Sequence, residues 1–367
     1  MVPARPGPFL FAGSGPEVRK YGLILVKEAI IIPVHMKTNS FAAKTTAAFV
    51  LLVLLAVSCK KDDKNSTNSD GGGDQPGCTV SKADAESIAI FPADNPWRTD
   101  ISQAAVDPYN TQIITALGSY VIKADFGSGL WEGAPIGIPY VVVCGSQTKY
   151  PVTFRGNSYD DNYGDESDAG PYAIPLTAPI EGNGTGGDSH VIAVDKDNKL
   201  LYELFNASKK SDHWEASSGA IFDLKTNTLR KDGNTSADAA GLPIFAGLVR
   251  YEEIQKGEID HPIRFTLEKP NVKPAYISPA RHKVSSTGGQ YSLPFGARIR
   301  LKNSFDISTY SATNQIILKA MKKYGLILAD IGSNLYITGA PDDRWNNDDL
   351  QKLGKIKGSD FEVVKFN

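Results

Sequence analysis

The densest set of acid–base groups in the chain is Tyr159-Asp160-Asp161-Asn162-Tyr163-Gly164-Asp165-Glu166-Ser167-Asp168, closed by Gly170-Pro171-Tyr172. Five carboxylates in nine positions could hold a hard cation or supply the acid and base that break a glycosidic bond. The calcium-loop template fails, because Gly164 precedes Asp165 instead of following a third ligand. The interleaved tyrosines offer flat apolar faces with a polar edge, as a sugar requires. A solvated acidic loop is the plain alternative. A second constellation follows at His190 and Glu203. If Lys196-Asp197-Asn198-Lys199 is a hairpin turn, Ile192 faces Glu203 and His190 faces Phe205, so the imidazole and the carboxylate share one sheet face. A one-residue slip would separate them. Asp165, Glu166, Asp168, His190 and Glu203 are therefore the candidate catalytic residues.

An octet written twice supplies the alternative pair. Ala124-Asp125-Phe126-Gly127-Ser128-Gly129-Leu130-Trp131 is echoed by Ala329-Asp330-Ile331-Gly332-Ser333-Asn334-Leu335-Tyr336, with matching flanks over about 100–135 and 306–341. The pair resembles the aspartic proteases, which are internally duplicated and set two Asp-Thr-Gly-Ser turns at strand ends so that the carboxylates share a proton. That resemblance implies an aspartic-type hydrolase using Asp125 and Asp330. The departures are that Phe126 and Ile331 replace the bracing hydroxyl, and that a helix precedes each strand. The competing reading is a structural turn in which Asp and Ser bond the backbone and Gly takes positive φ.

Other polar groups carry less. Gly182, Gly184 and Gly187 fit G-x-G-x-x-G but lead into a strand, so no helix N-terminus would meet a phosphate and no nucleotide cofactor is expected. His213-Trp214-Glu215 and Arg281-His282 lack metal spacing, H-E-x-x-H is absent, and no metal site is expected. No G-x-S-x-G elbow occurs. Trp345 reads as a ligand platform or as the staple of a helix beginning near Asp348, and the staple is favoured.

Short strands and a few helices must position these groups. Ile113, Ile114, Leu117 and Tyr120 recur at helical spacing, as do Ile316, Ile317, Ala320, Met321 and Tyr324; Gly325 then stops the second helix. Leu326-Ile327-Leu328-Ala329 is a buried strand that ends at Asp330. Strands are also expected at 138–143, 151–154, 189–205 (a hairpin), 220–224, 263–267, 275–278, 297–301 and 361–365, with a helix at 249–255. Strands without regular β-α alternation predict an α+β fold, β-rich, with a largely antiparallel sheet, a few short helices and a diverged internal repeat.

From Met36 the chain reads as an export signal: Lys37 and Lys44 give positive charge, and Ala47 to Val57 is an unbroken apolar run of eleven residues, too short for the roughly 20 that span a bilayer. Ser58 then precedes Cys59, with Ala56 where such signals usually carry Leu. Residues 36–58 are expected to be a lipoprotein signal peptide, with Cys59 lipidated, and residues 1–35 an extension from a misassigned start. Residues 59–84, polar and glycine-rich, read as a flexible tether, and 85–367 as a single domain. Leader and tether resemble those of Bacteroidetes-type surface lipoproteins, which implies an outer-membrane or cell-surface address with a lipid anchor as the sole membrane contact. An oxidising exterior allows one bridge between Cys78 and Cys144; two separate thiols read equally well. With 39 Lys and Arg against 41 Asp and Glu, no basic footprint for nucleic acid exists. The body also resembles an uncharacterised family of secreted proteins sharing the strings Ala134-Pro135-Ile136-Gly137-Ile138-Pro139-Tyr140, Asp165-Glu166-Ser167-Asp168 and Ala237-Asp238-Ala239-Ala240-Gly241-Leu242-Pro243. That resemblance brings no known activity. The expected function is action on an extracellular polysaccharide, as hydrolase or lyase; the alternative is a noncatalytic glycan- or protein-binding lipoprotein.

Overall fold

Residues 141–143, 191–195, 200–205 and 218–223 are apolar at nearly every position, a pattern that suits strands covered on both faces. The computed structural model describes residues 78–156, 162–185 and 187–366, and builds its fold around these strands. The expected export signal with Cys59, the expected tether up to residue 77, and Tyr159, Asp160 and Asp161 of the acidic run lie outside the described residues.

In chain order the principal strands are β1 Lys123–Asp125, β2 Val141–Val143, β3 Val191–Asp195, β4 Leu200–Phe205, β5 Ser218–Asp223, β6 Ile263–Leu267, β7 Arg298–Leu301, β8 Leu326–Ile331, β9 Tyr336–Thr338 and β10 Phe361–Val363. The α-helices are α1 Lys82–Glu86, α2 Asn110–Leu117, α3 Tyr251–Lys256, α4 Ala312–Lys323 and α5 Asn347–Leu350. Strands β2 to β5 form one sheet in the order β5-β4-β3-β2, and the other six form a second in the order β1-β9-β6-β8-β7-β10. Period-2 alternation sends Val142, Ile192, Val194, Leu201, Ala220 and Phe222 toward the six-stranded sheet. Val141, Val143, Val191, Ala193, Tyr202 and Leu204 go to a second core with Trp214 and Ala216, under a small sheet of 152–154, 208–209 and 214–216. The four-stranded sheet is thus the middle layer. Phe265 on β6 is fully buried in the larger core, and truncating it to alanine would cost about 3–5 kcal/mol.

The fold is strand-rich and α+β, as expected. The sheets are mixed instead of largely antiparallel. Pairs β1/β9, β6/β8 and β2/β3 run parallel, while β3/β4, β4/β5, β6/β9, β7/β8 and β7/β10 run antiparallel. The parallel pairs join segments far apart in sequence without a regular crossover helix, so local turn signals do not announce them. The hairpin register is the one the turn dictates, Ile192 opposite Glu203. Helix α4 is capped by Ser311, whose hydroxyl accepts from Asn314 N at 3.1 Å; it buries Ile317, Ala320 and Met321 and stops at Gly325, φ 75°. Each octet follows a helix and strand, α2-β1 and α4-β8, but the strands leaving them differ: Leu130–Trp131 forms a separate ribbon with Ala134–Pro135, whereas β9 joins the six-stranded sheet. The folded chain starts ahead of residue 85: α1 buries Ala85, and a disulfide joins Cys78 to Cys144, Cα–Cα 6.4 Å. Among the described residues no helix is long and apolar enough to cross a membrane.

Candidate functional site

Strand β6 reads Ile263-Arg264-Phe265-Thr266-Leu267, with a guanidinium inside an otherwise buried run. A buried cation must find counter-charge, and Arg264, only 3% exposed, finds two carboxylates. Its Nη2 donates to Asp238 Oδ1 at 2.9 Å and to Asp330 Oδ2 at 3.2 Å, and its Nε reaches Asp238 Oδ2 at 3.2 Å. Asp330 arrives at the end of β8, beside a β-bulge where the β6 register slips between Phe265 and Thr266. Asp238 is fixed by a hydroxyl-laced turn: its N–H donates to Ser236 Oγ at 2.9 Å, its carbonyl accepts from Thr235 and Ser236, and Ser218 holds Ser236 O at 2.7 Å.

The two carboxylates meet on the one Arg264 guanidinium. Burial, then the charge of Asp238, pushes Asp330 up to about 7, although Arg264 opposes this. Burial raises Asp238 as well, against the same arginine. Both carboxyls are thus displaced toward the protonated form. It borders a cavity of about 130 Å³ lined by Tyr163, Asp188, Phe205, Ser218, Val284 and Ile331. Asp188 is exposed on this rim, yet crowding by protein strips enough water to raise its carboxyl, with Asp330 and Glu181 adding repulsion. Asp125, also solvent-touching, is raised first by the same crowding and then by Glu181 and Asp188. Five carboxyls thus surround Arg264 and His190.

His190 is 1% exposed, with its Nδ1 2.7 Å from Glu181 Oε2 and its Nε2 3.0 Å from Ala237 O. A carbonyl only accepts, so Nε2 carries a proton, and a carboxylate favours one on Nδ1. Burial works against the charged ring, but Glu181 outweighs it and lifts His190 to about 9. In return Glu181 is lowered, its burial overcome by the imidazolium. This histidine is a cationic clasp, with no lone pair for general-base work. Glu203 is fully buried on the same sheet face, but its oxygens accept from Ile244 N at 2.9 Å and Phe245 N at 2.8 Å. Burial lifts it to about 7 in spite of those donors. Shared face does not become shared chemistry, because each group is saturated by other partners.

The acidic loop likewise serves as a tie. Asp168 Oδ2 accepts from Ile221 N at 2.8 Å and from Arg230 at 2.5 Å; Glu166 Oε2 accepts from Thr235 N at 2.8 Å. Asp165 is exposed. The loop reaches the cavity through Tyr163 rather than through these carboxylates. Asp330 belongs to the site, but its carboxyl partner is Asp238 and not Asp125, so the duplicated aspartates do not form the dyad of the aspartic proteases. Trp345 is a core residue: it is 3% exposed, packs edge-on against Phe126 and Tyr251, and donates to Ala340 O at 3.1 Å. The glycines 182, 184 and 187 all take positive φ in a loop. Asp238, Arg264, Glu181 and Asp188 were not among the sequence candidates; the arginine inside an apolar strand was the readable signal. No cluster of three or more His, Cys, Asp or Glu that could hold a metal occurs among the described residues.

No protein-family model, curated protein or solved structure matches the chain.

Proposed function

We propose that the protein cleaves glycosidic bonds in an extracellular polysaccharide, with Asp330 as the proton donor. The observation that carries this reading is the Asp330–Asp238 carboxyl pair beneath Arg264 at the wall of a cavity, with Asp330 poised at about 7. A general acid works best when its pKa lies near the working pH. Asp188 on the rim is the second carboxylate, stabilising positive charge on the sugar or activating water. Tyr163 and Phe205 give the sugar apolar faces. Export as a lipoprotein anchored through Cys59, to the outer membrane or cell surface, belongs to the same proposal, as does descent of the two octet segments from one duplicated unit.

One feature favours a noncatalytic glycan- or protein-binding reading. Leu130 and Trp131, 67% and 71% exposed, stand on a two-stranded ribbon beside a cavity of about 810 Å³. Incubation with a panel of polysaccharides separates the readings. A hydrolase creates reducing ends, a lyase adds ultraviolet absorbance, and a binder only retards migration through a polysaccharide gel. New ends from the wild type, and fewer by about 10² or more from Asp330→Asn, are expected; equal turnover by both would remove Asp330 from the mechanism.

A further inference from the structure

Among the described residues five arginine side chains are almost wholly buried, and four of them meet a carboxylate. Arg230 pairs with Asp168 at 2.5 Å, Arg250 with Glu86 at 2.6 Å and Glu253 at 2.7 Å, Arg264 with Asp238 at 2.9 Å, and Arg300 with Glu362 at 2.7 Å. Arg298 differs. It is 9% exposed on β7, and among the described residues it has no carboxylate within ion-pair distance. Its guanidinium donates to Pro96 O and, at 3.4 Å, to Thr99 O, which leaves the charge uncompensated. Burial alone lowers it to about 10. Carbonyl dipoles satisfy N–H groups but do not neutralise a buried cation, which is costly without counter-charge.

Arg298 does not face solid protein. Together with Pro96 and Thr99, the residues that hold its guanidinium, it lines a cavity of about 330 Å³. Ile101, Ile277, Pro279 and Val364 make apolar walls, and exposed Lys365 adds a second positive charge at the mouth. We propose that this cavity is a binding site for a small organic carboxylate, its anionic head on the Arg298 fork and its apolar body against the isoleucine and valine walls. A planar guanidinium matches a carboxylate with paired N–H donors, which is why arginine serves where such recognition matters. The site is built from residues separate from the Asp330 cavity and does not depend on the glycosidase reading.

Benzoate, acetate and chloride at matched ionic strength test it by calorimetric titration and by thermal unfolding. Benzoate is expected to bind one per chain and raise the unfolding temperature saturably, acetate more weakly, and chloride not at all. Arg298→Met should lower benzoate affinity at least tenfold while unfolding no earlier than wild type, because an apolar chain replaces an uncompensated buried charge. Lys365→Ala, an exposed substitution, should lower affinity about threefold. Absence of saturable benzoate binding to the wild type at millimolar concentration would overturn the proposal. So would binding that survives undiminished in Arg298→Met. Benzoate binding no tighter than acetate would overturn the apolar-body assignment.

Discussion

Two buried arginines organise ionic clusters, and the contrast between them separates brace from site. Arg250 is enclosed by Glu86, Glu253 and the carbonyls of Phe245 and Leu248, lies over the Phe245 ring, and shares Glu253 with His261 at 2.8 Å. There cation and carboxylate are matched, and Glu253 is held below its usual range because Arg250 and His261 overcome its burial. Around Arg264 the acids outnumber the cations, Asp238 and Asp330 are pushed upward, and a cavity opens beside them. Balanced charge locks a structure. An excess of carboxyls leaves a transferable proton.

Breaking each cluster should show the difference. Arg250→Ala takes the guanidinium away from buried Glu253 and part-buried Glu86 and should cost about 3–5 kcal/mol in denaturant unfolding. Asp330→Asn should lower polysaccharide turnover by about 10² or more while leaving unfolding nearly unchanged, and wild-type turnover should decline as pH rises through about 7. His190 sharpens the comparison by pH. Its folded value, about 9, exceeds the ordinary 6.5, so the protonated ring favours the folded state. That stabilisation is complete below pH 6.5, is lost as pH rises through about 9, and amounts to about 3 kcal/mol, an effect that His190→Gln should remove from the stability profile. Arg264→Ala should cost about 2 kcal/mol at pH 7, less than Arg250→Ala, because Asp238 and Asp330 can take up protons. Asp165→Ala, on the exposed loop, should shift unfolding by less than about 0.5 kcal/mol and leave turnover intact.

The readable parts of the sequence were local. The turn at Lys196–Lys199 fixed the β3/β4 register, and the spacing of Ile317, Ala320 and Met321 marked α4 with its Gly325 stop. Parallel pairing of β1 with β9 depends on contacts between residues 123–125 and 336–338, which no nearby turn encodes. The site followed the same division. The hairpin register sets His190 and Glu203 on one sheet face, but what they bond is decided by Glu181, Ala237, Ile244 and Phe245, from other segments. Asp330 could be found as a strand-end aspartate; its partner Asp238, 92 residues earlier by numbering, could not. Arg264 was visible in principle, since a charge within Ile263–Leu267 must be paired once that strand is buried.

The Cys78–Cys144 bridge also sets a mechanical path. Tension arriving from residues ahead of 78 bypasses the five-residue helix α1 and enters the fold at Cys144, just beyond β2. There it is shared by the parallel ladder of Val141–Val143 with Ala193–Asp195. A chain pulled from that side should therefore yield at higher force oxidised than reduced, because the load falls on a set of hydrogen bonds together and not on one helical turn at a time.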